Sequence, residues 1–347
     1  MNKETIKNHR LVRKVYYFLY GGLKRKALLA RARKVIDSFG IRFDKEDLIA
    51  NDMVRCYRSY GFGFDEYLCY KFYEKSKAER EKFVADWEHL GYTCAMNDPA
   101  NASVFDDKWK TYNTYKRFYK REIVFCQGES SKSEFVSFVE KHPRFIAKPL
   151  DASCGNGVAV FECKEDAEQL FARLLDNYTG RFIIEEIIIQ AQEVAEFHPS
   201  SVNTVRVPTI RMDDETLIIH PFFRLGRRGK VVDNAGAGGV ICSVDANTGR
   251  VFAAADEYAQ AYEVHPDTDK PIIDFVIPRW EEARQLVFEL AQVLPSNRYT
   301  GWDLALTDDG WVLVEANRCG QFVWQIPMQQ GFREEINGIL KRLGKKY

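Results

Sequence analysis

The chain has 347 residues, 46% hydrophobic and 29% charged, enough for one large core or two smaller ones and unlike a disordered or fibrous protein. Fifty Lys and Arg balance fifty Asp and Glu, and no run of eighteen apolar residues is present to cross a bilayer. The eight cysteines form no C-x-x-C pair, the six histidines no H-E-x-x-H arrangement, and no G-x-S-x-G elbow occurs, so disulfide scaffolds, zinc sites and serine hydrolases lose their support.

The amino-terminal segment differs in kind. Residues 1–40 hold eleven Lys or Arg against only Glu4 and Asp37. The opening MNKETIKNHR lacks the apolar core and cleavage site of a secretory signal, so a cytoplasmic protein is expected. Val12, Tyr16 and Leu19, with similar spacings through the first hundred residues, predict helices punctuated by Gly21-Gly22 and Gly40. An aromatic stretch, Phe62 to Tyr73, precedes a charged helix expected over 74–89. We read 1–104 as a basic helical region whose charged face is either solvated or in contact with an anionic membrane surface or a lipid-linked sugar. No recognised nucleic-acid module accompanies the charge, and no nucleic-acid partner is expected.

From about residue 105 the pattern becomes short β-branched runs, at 145–148, 158–161, 182–189, 205–210, 217–223 and 312–315, with helices expected over 164–178 and 279–293. A mixed α+β architecture follows, divided as 105–198 and 199–347. Lys148 ends the first strand, and such a lysine needs an anionic partner unless it snorkels to water. The small residues and two glycines of 151–157 let backbone N–H groups approach phosphate oxygens. A second glycine cluster, Asn234 to Gly239, is not a dinucleotide fingerprint, because Ile241 stands where the third glycine belongs and no parallel βα unit surrounds it.

Residues 301–317 predict a hairpin. A three-residue loop, Asp308-Asp309-Gly310, would set Thr307 against Trp311 and Asp303 against Glu315. Trp302, Leu304, Leu306, Val312, Val314 and Ala316 would then share a buried face, and Asp303, Glu315 and Asn317 the other. Close carboxylates repel, so a cation between them is expected, and hard oxygen ligands suit Mg²⁺ bound with nucleotide phosphates. A hairpin whose polar face simply meets water is the plain alternative.

Asp107-Lys108, Lys148-Pro149 with its glycine loop, Ile184-Glu185-Glu186-Ile187, Asp303 and Glu315-Ala-Asn317 together resemble the ordered signature of the ATP-grasp superfamily. Pro199-Ser-Ser-Val-Asn-Thr-Val-Arg206, Phe223-Arg-Leu-Gly226, Asp233-Asn234 and Gly238-Gly239-Val240 narrow this to the bacterial sugar-transfer-associated branch, over about 105–335. The resemblance implies two α+β subdomains clamping ATP and Mg²⁺ behind the helical region. Lys108 and Lys148 would contact ATP, and Ser153, Cys154, Gly155, Asn156 and Gly157 would close over its phosphates. Glu185 with the backbone of Glu186, Ile187 and Ile188 would hold the adenine edge, with Gln190 or Glu193 near the ribose. Arg206 and Arg224 would face the γ-phosphate and acceptor, Asn203, Asn234, Gly238 and Gly239 would touch substrate, and Asp303, Glu315 and Asn317 would bind the metal. Arg318-Cys319-Gly320 departs from the family's usual proline-glycine ending. The implied activity is a carboxylate-amine ligase that works through an acyl phosphate on a sugar acid or amino acid in surface-polysaccharide assembly. A phosphotransferase on the same fold, or a non-catalytic nucleotide-binding protein, are the rival readings.

Overall fold

The structure is a computed structural model and describes residues 10–151, 157–230, 233 and 238–347. Three helices open it, Arg10–Leu23, Arg25–Phe39 and Glu46–Tyr60, the last two ended by Gly40 (φ 65°) and Gly61 (φ 81°) in the left-handed conformation that glycine adopts without strain. Leu28, Ala32 and Ile36 pack against Met53, Val54, Phe62, Tyr67 and Phe72. The single charged helix expected over 74–89 is instead two pieces, Lys77–Lys82 and a 3₁₀ turn at Asp86–Glu88. Between them Phe83, Val84 and Ala85 are fully buried, and the Gln325 amide exchanges two hydrogen bonds with the Val84 backbone (2.9 Å each). Burial and long-range pairing hold this stretch extended against its helical pattern.

The smaller sheet contains β1 (Ile123–Gln127), β2 (Arg144–Lys148), β3 (Ala159–Glu162) and β4 (Arg181–Glu186), antiparallel in the order β1-β4-β2-β3. Helices Lys132–Lys141 and Ala167–Asn177 cover one face through Phe135, Phe138, Leu170 and Phe171. The other face presents Ile123 and Ile183 to a core shared with helix Lys108–Tyr119.

The larger sheet contains β5 (Val205–Arg211), β6 (Thr216–Ile218), β7 (Phe222–Leu225), β8 (Val240–Val244), β9 (Val251–Ala255), β10 (Tyr299–Thr307) and β11 (Gly310–Asn317). Its order is β11-β10-β5-β7-β8-β9, with β6 beside β5 and every pairing antiparallel. The run expected at 217–223 is split into β6 and β7: His220 has φ 43°, and Pro221 offers no N–H to a ladder. Helix Trp280–Val293 closes one face with Trp280, Ala283, Val287 and Leu290. The architecture is α+β, two antiparallel sheets with packed helices behind a helical amino-terminal region. Among the described residues no helix is long and apolar enough to cross a membrane.

Candidate functional site

The hairpin reaches its expected pairing by an unexpected route. Its turn has two residues, so Thr307 pairs with Gly310 (φ 112°), not with Trp311. A bulge where the register shifts between Asp303 and Leu304 leaves Val314 without a partner and sets Asp303 opposite Glu315. Between turn and bulge the two faces are exchanged: Trp311 and Leu313, in place of Val312 and Val314, join Trp302, Leu304, Leu306 and Ala316 in the core. A one-residue slip flips every side chain, and the bulged residue flips them back.

Asp303 is also opposite Arg206 on β5, so Glu315, Asp303 and Arg206 form a row across three neighbouring strands. The buried Arg206 grips Asp303 with both ends of its fork, Nε to Oδ1 and Nη2 to Oδ2, each 2.6 Å. Arg224 on β7 adds Nη2 to Oδ2 at 3.0 Å and also bonds the Thr204 hydroxyl and approaches Asp233 at 3.4 Å. Burial would raise the Asp303 carboxyl, but the two guanidiniums outweigh it and hold it below the usual range. Burial likewise opposes the Arg206 charge, and Asp303 reverses this, keeping the group above its ordinary value. Asp233 is pushed up, because burial there outweighs the attraction of Arg224.

These pairings change the expected electrostatics. The counter-ions of the paired carboxylates are side chains: Arg206 and Arg224 for Asp303, and Lys108 for Glu315, Nζ to Oε1 at 3.4 Å. Asn317 donates to Asp303 Oδ2 at 3.3 Å, which leaves its own amide oxygen uncommitted to that bond. Among the described residues no group of three His, Cys, Asp or Glu is placed to hold a metal. Glu315, with a side chain 41% exposed, and Asn317 fit a cation that takes few protein ligands and completes its shell with phosphate oxygens and water, which is the habit of Mg²⁺. Asp303, with both oxygens bound by arginine, fits the role of fixing the guanidiniums.

Lys148 finds its anion inside the protein. Its Nζ is 2.9 Å from Glu185 Oε1, and the other Glu185 oxygen receives Arg121 Nη2 at 2.8 Å and Nε at 3.1 Å. Burial raises the Glu185 carboxyl, yet Lys148 and then Arg121 bring it down to about 2. The same Arg121 donates Nη1 to the Leu313 carbonyl on β11 at 2.6 Å. One side chain thus ties the small sheet to the metal-candidate hairpin, and two cations against one carboxylate leave positive charge between the sheets. No sequence motif marks Arg121. In Lys120-Arg121-Glu122 it reads as a solvated turn, and only its position between a helix end (Lys120, φ 47°) and the first strand hints otherwise.

The remaining candidates separate into groups. Ser153, Cys154, Gly155, Asn156 and Asn234 lie outside the described residues. Gly157 (φ 72°) lies against Pro149, and its carbonyl accepts the Tyr178 hydroxyl at 2.7 Å. Glu186 accepts the Glu122 N–H at 3.2 Å, Ile187 and Ile188 are half-buried beyond the end of β4, and Glu193 is exposed. Gln190 and Asn203 hold each other: the Gln190 amide bonds both the N–H and the carbonyl of Asn203 at 2.8 Å. The Asn203 amide donates to Val194 and His198 carbonyls and accepts the Gly226 N–H, so this buried side chain laces loops together where a substrate contact was expected. Gly238 gives its carbonyl to the buried Arg227 at 2.7 Å, beside Gly239.

Two antiparallel sheets tied together by Arg121, with Lys148 on the smaller and the acid-amide hairpin on the larger, make up the ATP-grasp fold. The chain belongs to the sugar-transfer associated ATP-grasp family, whose model matches residues 89–341. Among solved structures it is similar to D-alanyl-alanine synthetase A from Vibrio cholerae, at 11% identity over 71% of this chain and 67% of that one, with TM-score 0.44. It is also similar to D-Alanine-D-Alanine ligase from Helicobacter pylori (15%, 72% and 63%, TM-score 0.43) and to an ADP complex of N5-carboxyaminoimidazole ribonucleotide synthetase (14%, 62% and 45%, TM-score 0.38). The chain spans less than half the length of that last relative. No protein of curated function matches the chain by sequence.

Proposed function

We propose that the chain is an ATP-dependent carboxylate-amine ligase that forms an amide through an acyl phosphate, acting on a sugar acid or amino acid in the assembly of a bacterial surface polysaccharide. Family membership supports ATP as the phosphoryl donor. The observation that carries the reading is the cross-strand row of Glu315, Asp303 and Arg206, with Arg224 on the same acid and Lys108 on Glu315. Guanidiniums fixed on a sheet, next to the half-exposed Glu315 carboxylate and the Asn317 amide, suit the transfer of a charged phosphoryl group.

In this reading Lys108 and Lys148 orient the phosphate tail, and the loop at 153–157 covers it. Glu185 to Ile188, with Gln190 and Glu193, border the nucleoside. Glu315 and Asn317, with Asp303 behind them, hold Mg²⁺, which when bound neutralises charge on the phosphate oxygens. Arg206 and Arg224 steady the phosphoryl group as its bond to the ADP oxygen breaks and its bond to the substrate carboxylate forms. An amine then attacks the acyl carbon, phosphate leaves with the bonding pair, and the amine proton passes to solvent. Exclusion of water by the closed loop protects the acyl phosphate. Gly238 and Gly239, with Asn234, border the acceptor. The protein works in the cytoplasm, with its basic amino-terminal region against the inner membrane face or a lipid-linked sugar.

The test is ADP release from the purified chain, screened against amino acids and uronic acids, with products identified by mass spectrometry. A ligase releases ADP in step with amide only when carboxylate and amine are both present. Glu315→Ala is expected to lower turnover by about 100-fold or more while leaving thermal unfolding unchanged, since the side chain is only half-buried. A phosphorylated product formed without an amine identifies a phosphotransferase, and nucleotide binding without turnover under all conditions overturns the enzyme reading.

A further inference from the structure

The helix Arg10–Leu23 sits on the protein the wrong way round for a surface helix. Its inward side carries Arg10, Tyr17 and Gly21: Arg10 bridges to Glu88 at 3.2 Å, Tyr17 meets Tyr57 edge-on at 4.9 Å, and Gly21 lies so close to Arg58 that a Cβ there would fall 2.3 Å from its Cγ. About 180° around the helix are Val12, Val15, Tyr16, Leu19 and Leu23, spaced three and four apart. These are 47%, 51%, 50%, 57% and 85% exposed. A globular protein ordinarily turns such a stripe inward, and an outward one marks an interaction surface.

We infer that this outward apolar stripe enters the interfacial zone of an anionic membrane, with the neighbouring basic residues seated on the headgroups. The occupant follows from charge and length. Lys24 and Lys26 are exposed directly after the stripe, and residues 1–40 carry eleven cations against two acids. Two copies meeting through this face would bring the same cations together, whereas anionic lipid complements them. At 14 residues the helix is about 21 Å long, too short to span the hydrocarbon core and suited to lying in its surface. The inference rests on the reading that the basic region meets a membrane and is independent of the reaction catalysed.

The experiment is flotation of the full chain with phosphatidylcholine vesicles, with and without about one phosphatidylglycerol in four. Two double variants accompany it: Val15→Glu with Leu19→Glu in the stripe, and Lys24→Glu with Lys26→Glu beside it. All four positions are exposed, and thermal unfolding should match the parent. The parent is expected to float with the anionic vesicles alone and to be released by salt, and each variant to bind about tenfold less or weaker. A stripe variant that binds like the parent overturns the insertion while leaving the charge contact standing. A parent that ignores both vesicles overturns both readings. A lipid-free dimer that the stripe variant abolishes assigns the face to a second copy and also overturns the inference.

Discussion

Glu185 is the residue on which the ion cluster of the small sheet turns, because it binds both Lys148 and Arg121. Its carboxyl is held at about 2, against an ordinary value of 4.5. A depressed carboxyl contributes stability that is fully present above its unfolded value and is lost as pH falls through the folded one. The chain should therefore lose this contribution between about pH 4.5 and pH 2, as the folded protein is forced to take up the proton. Glu185→Gln leaves two buried cations facing each other and is expected to cost about 3–5 kcal/mol at neutral pH. Urea unfolding at pH 7 and pH 3 checks both statements: the difference between parent and variant should be large at the first and shrink at the second. An equal difference at both would mean that Glu185 acts through packing, not charge. Lys148 was legible in the sequence because it stands at the end of an apolar strand, where an ion needs a reason, whereas Glu185 was marked only by the family resemblance, at the adenine edge and not as the partner of Lys148. Arg121 was not legible, because a cation in a polar turn has none of that contrast until the fold brings Leu313 and Glu185 to it.

The hairpin of β10 and β11 shows what a pattern can and cannot fix. Alternation located both strands and made Asp303 face Glu315, since any other register would have placed acids in the apolar layer. It could not distinguish a three-residue loop from a two-residue turn followed by a bulge, because both end in the same register at Asp303. The cost of the ambiguity fell on Trp311 to Val314, four apolar residues in a row with no alternation to orient them. The split of β6 from β7 was similarly written in Pro221, whose missing N–H outweighs the apolar run around it. The two-residue turn makes a distinct prediction at Gly310, whose φ of 112° is closed to residues with a Cβ. Gly310→Ala should lower stability by about 1–2 kcal/mol. If the turn were the expected loop with Gly310 in an ordinary left-handed position, Gly310→Asn would restore most of that loss; in the observed turn it should not. Thermal unfolding of the two variants separates the cases.

The helical amino-terminal region has one part that shares a core with the larger sheet and another, the helix Arg10–Leu23, that lies mostly exposed. Val84, Tyr92 and Met96 share one core with Ile210, Phe222, Trp324, Phe332 and Ile336. Arg333, on the carboxy-terminal helix Arg333–Arg342, clasps the buried Glu88 with two bonds of 2.6 and 2.8 Å, and Gln325 fills the ladder position beside Val84. The sequence suggested a boundary at 104/105 from its change of composition, but composition does not report which apolar faces meet, and these contacts cross it. A chain beginning at residue 105 would expose the apolar face of β5 and β7 and leave Arg333 without its carboxylate. It is expected to aggregate or to unfold without a cooperative transition. A chain beginning at residue 25 loses little buried surface, because most of the helix Arg10–Leu23 faces outward and Glu88 keeps Arg333. It should unfold in a single transition within a few degrees of the parent, by roughly the shift that 1 kcal/mol produces in a protein of this size. Calorimetry on the two truncations decides the matter. Cooperative unfolding of the shorter fragment at the parent's temperature would mean that the two parts fold independently, and that the contacts between them merely rest on finished surfaces.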